Sequence, residues 1–278
     1  MRVGWVADFT AETHTGGAQQ TNKEMVDYGR KLGYDIDYLT PDLFWGGGYD
    51  LYILNNIAHF RASLINEIVN REKYVRYEHD YDAPSNIHKW PNLYRKSLVN
   101  IFLSPLHLDE VESILDGEVP NSVVIPSPIN ARIFRDTKVK REKNSAVLVG
   151  NIVPEKGLEN VLSYLEDHQE LKVCVVGFNA NNPFADKLIE HDRVEFLGEV
   201  AFEDMPGEYS RFESLIHLPE WKEPFGRIVI EAYLCGCDLI VNDNVGAMSY
   251  GWDFGNERSI VKNVKTQKSF WNVVTGAL

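Results

Sequence analysis

Short runs rich in Val, Ile and Leu recur along the whole chain, at 3–7, 36–39, 51–54, 74–77, 99–103, 123–125, 146–149, 173–176, 194–197, 214–218 and 239–241. Each has strand length, and apolarity on both faces is the mark of a buried parallel strand. Between them, 19–32, 64–70, 106–115, 157–166, 183–189 and 225–234 carry the period of helices. Strands alternating with helices predict an open, doubly wound α/β sheet. The pattern stops once, at Pro126-Ser127-Pro128, and residues 135–144 are polar and charged before it resumes. The expectation is therefore two Rossmann-like domains, 1–137 and 138–278, facing a central cleft into which the carboxyl ends of both sheets open. The stretch 266–278 reads as a last helix that packs back on the first domain. No internal repeat and no low-complexity segment interrupts this scheme.

Composition excludes more than it selects. With 278 residues, 44% hydrophobic and 25% charged, the chain has the balance of a soluble globular protein. A net charge of -13 disfavours a nucleic-acid partner, since it repels phosphate backbones. The one basic run, at 138–143, reads as a solvated linker. Cys174, Cys235 and Cys237 form no disulfide framework and no zinc motif, which points to a reducing, cytoplasmic setting. No signal-peptide core and no transmembrane run of ~18 apolar residues is present; contact with a membrane surface is left open.

The densest motif is Glu223-Pro224-Phe225-Gly226, followed by Glu231-Ala232 and Gly236. Pro224 suits the first turn of a helix, and Gly226 lets a ligand approach the backbone there. The unpaired N–H groups of such a turn attract anions. Glu223 and Glu231 lie about two turns apart, so they address different parts of one extended ligand, each able to accept from vicinal hydroxyls. Lys156-Gly157 falls at a strand-to-helix turn, where a lysine is a point charge for phosphate. Gly16-Gly17 follows the first strand and opens a helix, and His79-Asp80 follows another strand.

Taken together, these motifs resemble the paired-glutamate signature of family 4 retaining glycosyltransferases, of which this chain would be a short member with the GT-B fold. The resemblance is most specific from Gly150 to Gly236 and collinear but weaker before it. It implies that Glu223 contacts the donor sugar, Glu231 the nucleotide ribose, and Phe225 and Gly226 supply backbone amides. The loop Gly150–Gly157 resembles the family's diphosphate loop: Lys156 matches, while Asn151 stands where an arginine is usual. Thr15-Gly16-Gly17-Ala18 resembles its diphosphate-contacting glycine loop, and His79 takes the place of a histidine beside the reacting centre. The catalytic candidates are thus His79, Lys156 and Glu223. The donor-binding set is Gly16, Gly17, Asn151, Lys156, Glu223, Phe225, Gly226 and Glu231.

The implied reaction transfers a hexose from a nucleoside-diphosphate sugar to a hydroxyl of a glycan, glycolipid or small molecule, with retention and without a metal or other cofactor. Asp80-Tyr81-Asp82 has the spacing of a metal motif but lies in the wrong half. The segment 77–96, with Asp80, Tyr81 and Trp90, reads either as an acceptor-sugar platform or as loop packing. Two other functions remain: a donor-binding protein without transferase activity, and a sugar-nucleotide epimerase of the same architecture.

Overall fold

A computed structural model of the chain describes residues 1–14, 16–44, 47–179 and 183–278. Thr15 of the glycine loop lies outside the described residues. The chain divides into two compact units: Met1–Pro128 together with Asn263–Leu278, and Ile129–Lys262. The division falls at the Pro126-Ser127-Pro128 stop rather than at 137/138, because Phe134 is buried against Phe202 and Tyr209 of the second unit.

In the first unit, strands β1 (Arg2–Val6), β2 (Asp35–Leu39), β3 (Leu51–Leu54), β4 (Tyr74–Tyr77), β5 (Asn100–Phe102) and β6 (Ser122–Val124) form a parallel sheet of order β2-β1-β3-β4-β5-β6. Leu51–Leu54 and Tyr74–Tyr77 are buried along their whole length, as strands covered on both faces must be. Helices α1 (Gly17–Lys31), α2 (Ala62–Arg71), α3 (Asp82–Ser85) and α4 (Pro105–Leu115) connect them. Ser104 caps α4 by accepting from the His107 N–H at 3.0 Å, and Pro105 fills the first position, where no N–H is missed.

The second unit's sheet, of order β11-β10-β7-β8-β9, is also parallel. Its strands are β7 (Glu142–Val149), β8 (Lys172–Val176), β9 (Val194–Gly198), β10 (Phe212–His217) and β11 (Asp238–Val241). Helices α5 (Leu158–Asp167), α6 (Pro183–Ile189), α7 (Met205–Arg211), α8 (Arg227–Leu234) and α9 (Glu257–Asn263) belong to it. In each sheet the strand order reverses beside the first strand, between β1 and β3 and between β7 and β10. That is the switch point where doubly wound sheets collect ligands.

The last helix, α10 (Gln267–Gly276), completes the first unit's core. Trp271 stacks near Trp5 and Tyr34, and its indole N–H donates to the Met25 carbonyl at 2.9 Å. Gly29 of α1 makes room for it: a Cβ there would lie 2.2 Å from the Trp271 ring. Among the described residues no helix is long and apolar enough to cross a membrane.

Candidate functional site

The switch point of the second unit gathers three titratable side chains from three segments. His217 is the last residue of β10, Lys156 ends a short 3-10 turn after β7, and Glu223 lies in the loop between β10 and α8. Lys156 Nζ stands 2.7 Å from Glu223 Oε1, and His217 Nε2 hydrogen-bonds Glu223 Oε2. Burial pushes the Glu223 carboxyl up, but His217 and Lys156 outweigh it and bring it down to about 2. Glu223 is thus an anion across the physiological range, and the exposures of Lys156 (23%) and Glu223 (13%) leave the pair open to a ligand. The Lys156 ammonium also stands 5.2 Å over the Trp221 ring, an attraction that holds it at the mouth.

Backbone contacts explain how residues so distant in sequence meet. Gly157, in the left-handed conformation at φ 78°, packs so closely on the end of β10 that a Cβ would lie 1.8 Å from the Leu218 carbonyl oxygen. The Glu220 N–H donates to the Glu155 carbonyl at 3.0 Å, and Asn160 Nδ2 donates to the Leu218 carbonyl at 2.9 Å. Lys156 is thereby drawn to the tip of β10. Glu223 is fixed from the other side: its N–H donates to Asn244 (2.7 Å) and its carbonyl accepts from Gly246 (2.9 Å), just beyond β11.

The predicted start of the 225–234 helix is corrected. α8 begins at Arg227, because Gly226 at φ 78° cannot continue a right-handed helix backward. Pro224 therefore precedes the helix, and Glu231 lies little more than one turn into it. Phe225 is buried against Tyr250 and Trp252, and its carbonyl accepts from the Ala247 N–H at 2.7 Å. Glu231 is buried away from Lys156 and Glu223: Arg227 donates to its Oε1 at 3.2 Å and Tyr209 to its Oε2 at 3.4 Å. Asn151 is exposed on the loop after β7.

In the first unit, Gly16 is the N-cap of α1 and Gly17 its first residue, so the first-turn N–H groups of a 15-residue helix fall just after β1. His79 follows β4, and its Nε2 lies 3.1 Å from Asn55 Oδ1. Asp80 accepts from Asn56 Nδ2 and from the Asp82 N–H at 2.9 Å; burial raises its carboxyl. The acceptor platform is corrected in two places. Trp90 is only 1% exposed and packs in the core, and Tyr81 packs partly buried against the same core and edge-on to His107. Apolar loop residues do this when a sheet offers them a covered face. Among the described residues no cluster of three or more His, Cys, Asp or Glu suited to a metal is found.

His217 and Trp221 were not singled out from sequence. Both lie just before the Glu223 motif, yet only the strand's end point shows that the His217 ring meets Glu223.

The family model for glycosyl transferases group 1 matches residues 130–269, just over half of the chain. The chain belongs to that family. The group 1 match covers the Lys156–Glu223 site. A relative from Klebsiella pneumoniae, described as an uncharacterized 42.6 kDa protein in the cps region, is 25% identical over 127 residues, 45% of this chain and 32% of that protein. The match thus spans about a third of the curated relative's length. HepE from Anabaena, solved in complex with UDP and glucose, is similar with a TM-score of 0.70 and 18% identity, over 99% of this chain and 96% of that one. Sucrose-phosphate synthase from Thermosynechococcus elongatus is similar with a TM-score of 0.74 and 12% identity, over 99% and 90%. These likenesses establish the GT-B fold for this group 1 member.

Proposed function

We propose that this chain is a retaining, metal-independent glycosyltransferase of family 4 type that moves a hexose from a nucleoside diphosphate to a hydroxyl acceptor. The observation that carries the reading is the Lys156–Glu223 pair at the switch point of the unit bearing the family match. In the reaction the bond from the anomeric carbon to the diphosphate oxygen breaks, and the acceptor oxygen bonds to the same face. The acceptor proton leaves with the diphosphate. Negative charge grows on that leaving group, and a cation already placed beside it stabilises the transition state with little reorganisation.

Lys156 serves as that cation, turning from Glu223 to the diphosphate. Glu223, anionic with two oxygens, accepts from the sugar hydroxyls. Arg227 and Tyr209 hold Glu231, whose remaining lone pairs take the ribose hydroxyls. The amides of Phe225 and Gly226 contribute further positive potential. Asn151 leaves the diphosphate with one cation fewer than the resemblance implies. Because HepE is seen with UDP and with UDP-glucose, uridine donors are the first to test. The buried free thiols of Cys174, Cys235 and Cys237 support a reducing, cytoplasmic setting.

The test is a thermal-shift panel of nucleotide sugars, followed by measurement of nucleotide release with sugar acceptors and of the product's anomeric configuration by NMR. Stabilisation by one donor with acceptor-dependent transfer and retention is the expected result. Stabilisation without transfer would mean a donor-binding protein, and interconversion of the sugar nucleotide alone would mean an epimerase.

A further inference from the structure

Glu223 has two partners of different kinds, and the difference assigns them different roles. Lys156 sits on a turn at the mouth, partly exposed, with its ammonium against Glu223 and over the Trp221 ring. His217 is wholly buried at the tip of β10, a strand paired in parallel with β7 and β11 and registered there with Val241 of β11. Its Nε2 meets Glu223 Oε2, and its Nδ1, also buried, has no hydrogen-bond partner among the described residues. With a proton on Nε2, the ring donates to the carboxylate from a fixed position on the strand.

We propose that His217 is a positioning residue, donating from Nε2, that holds the Glu223 carboxylate in place when Lys156 turns to the donor's diphosphate. The inference rests on the glycosyltransferase reading of Glu223. Without a fixed second donor, the carboxylate would follow Lys156 or swing into the space the ammonium leaves. With it, one oxygen stays bonded to the strand, and the other passes from Lys156 to the sugar hydroxyls. The exchange keeps the buried anion hydrogen-bonded throughout, which removes a desolvation cost from donor binding.

Two measurements test this on the full chain. The first needs no turnover: 15N-histidine NMR of the wild type at neutral pH, with His217 assigned by the signal lost in His217→Gln, should show a proton on Nε2. The tautomer with its proton on Nδ1 alone would overturn the proposal whatever the enzyme's activity. The second compares UDP alone with a UDP-sugar that the panel identifies. In His217→Ala, kcat should fall about tenfold, the scale of one lost hydrogen bond to a charged group. Affinity for UDP, which lacks the sugar, should stay within about twofold of wild type on the same arithmetic. His217→Gln, which can present an amide N–H toward the same oxygen, should recover most of the rate. Equal losses of UDP affinity and kcat in His217→Ala, or no recovery in a folded His217→Gln, would leave His217 as part of the scaffold only. Should no donor support transfer, the glycosyltransferase reading fails while the tautomer experiment still decides the assignment of His217.

Discussion

Each unit of this protein contains an ion pair at the carboxyl edge of its sheet, and the two are built for opposite ends. In the first unit, Arg76 on β4 and Glu78 just beyond it are both 0% exposed. Every direction around them is filled. Arg76 donates to Glu78 through Nε at 2.8 Å and also through Nη2, and its Nη1 donates to the carbonyls of Leu54 and Asn55; Tyr94 donates to the same Glu78 Oε2 that takes the Nε bond. In the second unit, Lys156 and Glu223 meet in one partly exposed contact, with His217 bonded to Glu223 from the strand side. The first pair ties β3 to β4 and has no bond to spare for a ligand. The second is half-satisfied by design of its surroundings, so a ligand can take either partner. Charge alone does not mark a site; charge with an incomplete set of partners does.

The comparison can be broken at its strongest point. Arg76→Met should cost about 3–5 kcal/mol of stability in urea unfolding, because it strands Glu78 as a buried, uncompensated carboxylate. The double change Arg76→Met with Glu78→Leu should recover much of that loss. Single-variant stability equal to wild type would mean that the buried pair does not act as a scaffold.

The next effect is on rate rather than stability. Glu223→Ala and Lys156→Ala should each lower transfer by roughly 10²–10³-fold, the scale of a removed transition-state contact. Unchanged transfer in either variant, measured with saturating donor, would sink the assignment of the site.

Acid separates the pairs more finely. The Glu223 carboxyl is held at about 2, below its ordinary 4.5, so it contributes stability that is complete above about 4.5 and lost as pH falls through 2. Glu223→Gln should flatten the acid limb of a stability-versus-pH curve within that window; an unaltered limb would show that Glu223 is not the group being titrated.

The smallest expected effect tests the backbone that brings Lys156 to Glu223. Gly157→Ala places a side chain in the left-handed region and against the Leu218 carbonyl, for a loss of about 1–3 kcal/mol. It should lower transfer as well, because the displaced turn carries Lys156 with it. A fully active Gly157→Ala enzyme would show that the turn can relax without moving the ammonium.

Much of the architecture was legible in the chain because it depends on local patterns. The apolar runs mark the strands to within a few residues, including both ends of Leu51–Leu54 and Tyr74–Tyr77. Burial on both faces keeps a parallel strand mostly apolar, and Arg76 of β4, paired with Glu78, is an exception that did not hide the strand. α7 was missed because Pro206 and Gly207 lie inside Met205–Arg211 and read as a turn; Pro206 is tolerated there at the helix's first turn. The helix 257–263 was missed too, being short and mostly exposed, with only Ile260 buried.

The candidate site divides along the same line. The sequence by itself determined which residue types bear the chemistry: Lys156 beside a glycine, and Glu223 and Glu231 around Gly226. It also determined that two α/β units would carry them. Only the tertiary structure decided which of these meet. It paired Lys156 with Glu223 across 67 positions, turned Glu231 to Arg227 and Tyr209, placed His217 behind Glu223, and buried Trp90 in the core. The physical reason is that strand and helix formation follow periods of a few residues. Partners across a switch point depend instead on strand order and on the close approach of two loops, which no local pattern encodes.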